Sequence, residues 1–404
     1  MSPTHRSAIS IVAICFLMGL TGRGLLESFV VFLLPLGNSF GWERASAVSI
    51  YSLGILVNGL AGPFVGRFLD LAGPRAVYLA GLCLLGACFS AAAYATTLWQ
   101  FQLFVGFGGG IASACLGNVP NAILLARWFR RRLTLATSIV FSALGVGIMV
   151  VLPLTQLLID ELGWRGAYRA LGATALFIAV PVAILPWAHF HAGRPELMME
   201  TPVDRSANGD GWRFGEVFRN PAFWGLSAVY FFTGMAMYAI TVQIVAYLVE
   251  IGFPPLKAAA AWGVSGLLLP VGMVLVGWLD GVIGRRRSVL LSYGLTILGI
   301  AHLWLLSVYP NIVVLGAFLI TFGSMLGSRG PLIATIAIRV FRGGSVATIL
   351  GAITACGGLG AAIGSWLGGL LHDLTGNYHA VIAFATVSTL CAIAPFFTIR
   401  EMKQ

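Results

Sequence analysis

Three charged side chains stand alone inside long apolar stretches: Arg23, Glu27 and Arg329. Each type has a defined chemistry there. A guanidinium stays charged and offers a planar fork of donors that can hold a carboxylate bidentately. A carboxyl can take up and release a proton; burial raises its pKa and a neighbouring arginine lowers it. Within a membrane helix such a charge costs roughly 2.5–3.5 kcal/mol on insertion scales, so it faces a partner or a water-filled cavity.

Arg23 and Glu27 are four residues apart and share one helix face. Two readings stay open. They form a mutual ion pair that lowers the cost of both charges, or Glu27 takes a proton and frees Arg23 to meet an anion. Arg329 lies in Gly327-Ser328-Arg329-Gly330-Pro331. The proline removes a helix hydrogen bond and the glycines loosen the backbone, which predicts a broken helix with a guanidinium beside the break. That arrangement suits an anion. The alternative is an arginine that staples neighbouring backbone carbonyls.

The elements that must position these groups are membrane helices. The chain is 58% hydrophobic and 9% charged, with mean hydropathy +0.92, whereas soluble domains carry about 25% charged residues. At about 20 residues per span, 404 residues hold a dozen helices with short loops. The net charge of +10 is spread over many short loops, and no basic patch is interleaved with exposed aromatics, which argues against nucleic acid. Cys15, Cys83, Cys88, Cys115, Cys356 and Cys391 all fall in apolar stretches without metal-ligand spacing. They read as buried free thiols, and neither a metal nor a cofactor is expected. The first apolar run is long and lacks a cleavage site, so it reads as a retained helix.

Apolar runs divide the chain into twelve spans, with centres near residues 22, 57, 85, 112, 146 and 178, then 236, 268, 298, 325, 358 and 389. The expected organisation is a six-helix bundle over 1–188, a cytoplasmic linker over 189–220 and a second six-helix bundle over 221–404. With the N-terminus in the cytoplasm, eighteen of the 24 Lys and Arg fall on the cytoplasmic side. Arg44, Arg165, Arg169 and Lys257 fall outside, and Arg23 and Arg329 lie within the membrane. This is the positive-inside asymmetry, and it predicts a multi-pass plasma (inner) membrane protein with both termini cytoplasmic.

An internal repeat supports two like halves. Gly66-Arg-Phe-Leu-Asp70-Leu-Ala-Gly73-Pro-Arg75 follows span two, and Gly277-Trp-Leu-Asp280-Gly-Val-Ile-Gly284-Arg-Arg286 follows span eight, 211 residues on. Arg127-Trp-Phe129-Arg130 after span four is echoed by Arg339-Val-Phe341-Arg342 after span ten. The 66–75 run resembles the signature loop of the major facilitator superfamily, across essentially the whole chain. Four further segments are similar to its monocarboxylate-porter and oxalate–formate-antiporter branch. They are Phe40-Gly-Trp-Glu-Arg44, Ala126-Arg-Trp-Phe-Arg-Arg-Arg132, Gly163-Trp-Arg-Gly-Ala-Tyr168 and His372-Asp-Leu-Thr-Gly-Asn-Tyr378.

The resemblance implies an all-α fold of twelve transmembrane helices in two six-helix halves, with spans one, four, seven and ten lining a central cavity near the midplane. Arg23, Glu27 and Arg329 all fall on those helices. Asn118 and Asn121 on span four, and Tyr238 and Gln243 on span seven, join Arg23 and Arg329 as candidate solute contacts. Each could equally satisfy a neighbouring helix. Asn58 on span two is a weaker candidate. Glu27 is the candidate proton carrier. Asp70, Arg75, Arg130 and Asp280 are candidate gate residues, the alternative for the arginines being simple topological anchoring. The small-residue faces of spans five and eleven read as packing, as a sliding surface, or as both. One departure matters: the branch carries an arginine in helix eight, and 263–277 here has no charge.

The expected function is secondary transport of a small organic anion, a carboxylate, coupled to protons, by a monomer in the bilayer. The competing reading is proton-driven efflux of cationic or amphipathic compounds anchored on Glu27. A membrane enzyme is disfavoured, because no HExxH, Ser/His/Asp set, paired-Asp metal motif or phosphate loop lies near a span. A sensor would need an output domain, for which the linker and tails are short.

Overall fold

The computed structural model describes residues 3–129, 133–185, 187, 190, 217, 219–341 and 346–399. The expected linker 189–220 and the cluster 130–132 lie largely or wholly outside these residues. Every regular element among the described residues is helical. Among the described residues, nine apolar helical stretches are long enough to cross a membrane. Two of them are double: Arg44–Ala92 breaks at Gly73 (φ 78°, ψ 170°) and Ala143–Ile184 breaks at Gly163 (φ 68°, ψ 167°). Ile312–Thr321, followed after an interruption by Arg329–Val340, makes a further span, so the count is twelve.

Local sequence explains where spans begin. Asn220 caps span seven by accepting from the Ala222 amide (2.8 Å), with Pro221 in the first helical position, where a missing N–H is harmless. Asn311 caps span ten in the same way through Val313 (2.9 Å). Gln100 accepts from the Thr96 and Thr97 amides and opens span four.

The repeat is written into the backbone. Six glycines have positive φ, a conformation only glycine enters without strain. They pair across the duplication: Gly41 with Gly252, Gly73 with Gly284, and Gly163 with Gly376. Each pair turns the chain at the same place in its half. The glycines of the signature loop and its copy, Gly73 and Gly284, thus do the same work.

By contacts the chain forms two units, Met1–Gly41 with Ser49–Val203, and Trp42–Val48 with Asp204–Gln404. The loop after span one is therefore grouped with the second unit. Within the first unit, span one approaches span five closely, where Gly24 faces Gly147 and leaves no room for a side chain. Within the second, the glycine row of span eleven lies on span seven. A Cβ on Gly364 would sit 2.4 Å from the Met235 carbonyl oxygen. That row is thus used for packing inside one unit. The thiols are all free, as expected, but only Cys15 and Cys115 are buried; Cys83 is exposed. Its place on the apolar surface of a membrane helix supplied no signal distinguishing it from the core.

Gly364→Ala should lower thermal stability in detergent by about 1–3 kcal/mol, through overpacking. Gly358→Ala, where nothing lies within 4 Å, should leave the melting temperature unchanged.

Candidate functional site

Spans one, four, seven and ten are each interrupted. Span one breaks at Ser28, between Pro3–Glu27 and Phe29–Phe40. Span four breaks at Gly117, span seven at Val242 and Gln243, and span ten between Thr321 and Arg329. Asn118 and Arg329 are the first residues of their second segments, 211 residues apart. Breaks free backbone groups and bring polar side chains to mid-helix.

In the first unit the ion-pair reading of Arg23 and Glu27 is realised. Arg23 Nη2 donates to Glu27 Oε1 at 3.0 Å. The second carboxylate oxygen accepts from the Tyr51 hydroxyl at 2.5 Å. Arg23 Nη1 reaches Asn58 Oδ1 at 3.4 Å, and Asn58 donates in turn to the Gly110 carbonyl. Phe29 stacks on the Tyr51 ring, fixing it against the pair. The Glu27 side chain is 5% exposed and that of Arg23 19%, so the cation is the accessible partner. Tyr51 escaped the sequence reading because a tyrosine in an apolar span carries no charge to mark it.

Asn121 is fully occupied inside this unit. Its amide nitrogen donates to the Cys15 and Leu116 carbonyls, both at 3.2 Å, and its oxygen accepts from Tyr78 at 2.7 Å. Leu116 precedes the break at Gly117, so Asn121 satisfies a carbonyl that the break exposes. Asn118 is exposed at the start of the next segment.

In the second unit Arg329 is 4% exposed and makes no ion pair among the described residues. It lies in a neutral seat on span nine, Arg285–Val308. Nε donates to Ser292 Oγ (3.1 Å), and Nη2 donates to the Ser292 carbonyl (2.7 Å) and to Thr296 Oγ1. Its Cζ lies 4.0 Å from the centroid of the Tyr293 ring. Tyr293 is held by Thr233 Oγ1 on span seven (2.7 Å), and Tyr230 donates to the Gly330 carbonyl at the helix start (3.3 Å). Part of the stapling reading is therefore present, through one carbonyl. The expected bidentate fork is altered: the Nε–Nη2 edge is taken, and Nη1 is the nitrogen without a hydrogen bond among the described residues. An anion meeting this guanidinium as seated would meet Nη1.

Tyr238 is half-buried on span seven. Gln243 is buried at the break, with its nitrogen on the Ala239 carbonyl (3.5 Å) and its oxygen without a partner among the described residues. Of the gate candidates, Asp70 is exposed and Asp280 half-buried. Arg75 donates to the Ala183 carbonyl at the end of span six (3.0 Å), a C-terminal cap. Arg130 lies outside the described residues.

Two loop motifs meet in the second unit. Asp373 accepts from the Arg44 and Ala45 amides (2.8 and 2.7 Å), capping the helix that starts there. The Arg44 guanidinium pairs with Glu250, and His372 lies 3.7 Å from Glu250 and 3.9 Å from Asp373. Both motifs were visible in the sequence; their partnership was not, because some 330 residues separate them.

Twelve apolar spans among the described residues, four of them interrupted near polar or charged side chains, and a duplicated glycine-hinged loop are features of a membrane transporter. The profile of the Major Facilitator Superfamily matches residues 9–365, and the chain belongs to that family. It is 27% identical to monocarboxylate transporter 13 of Bos taurus over 93% of this chain and 85% of that one. It is 25% identical to YcxA of Bacillus subtilis (strain 168), an uncharacterized MFS-type transporter, over 100% and 98%. Monocarboxylate transporter 11 of Homo sapiens is 26% identical over 92% and 78%.

Asn121→Ala should cost about 1–3 kcal/mol of stability, because it strands two carbonyls and a hydroxyl in the core. Asn118→Ala should cost under about 0.5 kcal/mol at its exposed position. Thermal unfolding of the two purified variants checks both.

Proposed function

We propose that the protein carries a small organic anion, a carboxylate, by alternating access, with protons as the coupling ion. The observation that carries this reading is the charge balance of the membrane interior. Arg23 and Glu27 neutralise each other, and Arg329 remains as a buried cation in a seat of neutral groups. An uncompensated buried charge is costly, and an anionic solute would lower that cost while bound. The relatives named as monocarboxylate transporters support the same cargo class. Arg329 offers Nη1 to the solute. Protonation of Glu27 would release Arg23 to add a second positive charge, which links proton and anion entry. Asn118, Tyr238 and Gln243 are supporting polar groups, and Asn121 supports the break of span four. Asp70, Arg75, Arg130 and Asp280 belong to the cytoplasmic gate of a monomer in the plasma membrane, with both termini cytoplasmic.

Efflux of cations on Glu27 is the less favoured reading, because both Glu27 oxygens are already taken, by Arg23 and Tyr51. Arg329→Ala should abolish carboxylate uptake into proteoliposomes while the protein stays folded; undiminished uptake would remove Arg329 from the site. Glu27→Gln should retain counterflow and lose accumulation driven by a pH gradient. Accumulation that persists would show that another group carries the proton.

A further inference from the structure

Span nine carries no charge within its apolar stretch, and nothing in its sequence singles it out as part of the site. Yet three of its side chains meet one cation. Ser292 and Thr296 take Nε and Nη2 of Arg329 from one edge, and Tyr293 presents its ring face to the guanidinium carbon at 4.0 Å. Tyr293 is itself 1% exposed, and its hydroxyl is tied to Thr233 on span seven at 2.7 Å. A desolvated cation over an aromatic face is held strongly, since the ring supplies negative potential without a counterion. A carboxylate in that place would neutralise Arg329 and remove its pull on an anion. A ring stabilises the charge and leaves it uncancelled.

We propose that Tyr293 is a positioning and specificity-determining residue for transport: it keeps Arg329 buried, charged and turned so that Nη1 alone meets the solute carboxylate. This rests on the anion-transport reading. The Tyr293 hydroxyl also meets Thr233 Oγ1 on span seven, but it is the ring face that meets the cation. Because the grip is through one nitrogen, the second carboxylate oxygen is left for another group.

The test is a double-mutant cycle on the full-length protein, with a binding readout beside it. Thermal unfolding in detergent is measured for wild type, Tyr293→Leu, Arg329→Met and the double variant. Tyr293→Leu should lower the melting temperature by about 2–4 °C more when Arg329 is present than in the Arg329→Met background. Additive effects would reduce Tyr293 to an ordinary core residue and overturn the proposal. Pyruvate binding, followed by its thermal shift, should weaken about tenfold in Tyr293→Leu and stay near wild type in Tyr293→Phe, which keeps the ring. Equal weakening in both variants would assign the effect to the hydroxyl and overturn the role of the ring. The stability cycle needs no solute. Failure of wild type to bind any of a panel of carboxylates would therefore strike the transport reading while the cycle still decides the seat.

Discussion

The second unit is organised around one electrostatic constraint: a positive charge, Arg329, sits buried without a counterion among the described residues. Arg23 solves the same problem locally, one turn from Glu27, and the pair is close to neutral. Arg329 does not. Its compensation comes from a carbonyl, two hydroxyls and a ring face, all on a neighbouring helix. Such groups solvate a cation without cancelling its charge.

Backbone design serves that constraint. Span ten starts its second segment at Arg329 itself. Span four starts its own at Asn118, at the equivalent place in the repeat. Asn121 and Tyr230 then hold carbonyls beside these breaks. The three pairs of positive-φ glycines turn the chain alike in both halves, so a duplicated scaffold carries two different polar side chains at one repeat position. The two halves thus differ by substitution on a like frame.

Much of this was legible in the residues. Twelve spans, the repeat and the three costly charges follow from hydropathy and spacing, and the pairing of Arg23 with Glu27 follows from their separation of four. The seat of Arg329 was not legible. Ser292, Tyr293 and Thr296 are small or amphipathic groups on a span without charge, and the hydroxyls of Ser292 and Thr296 also donate to carbonyls of their own helix, Val289 and Ser292. Only the side-chain geometry shows that the same oxygens accept from Arg329 on span ten. Tyr51 was hidden for the same reason. The expectation of a bidentate grip by Arg329 failed because intramolecular acceptors reach the fork first. The uncharged stretch 263–277 in span eight now has a counterpart: the buried cation of this unit is supplied by span ten.

The central claim is that the membrane interior is built to receive an anion. A thermal-shift screen of the purified protein against small carboxylates, organic cations and neutral amphipaths, each at two pH values, tests it most directly. The account predicts stabilisation by one or more carboxylates, stronger at the lower pH, and none by cations. Stabilisation by cations or neutral amphipaths, with no response to carboxylates at either pH, would contradict it.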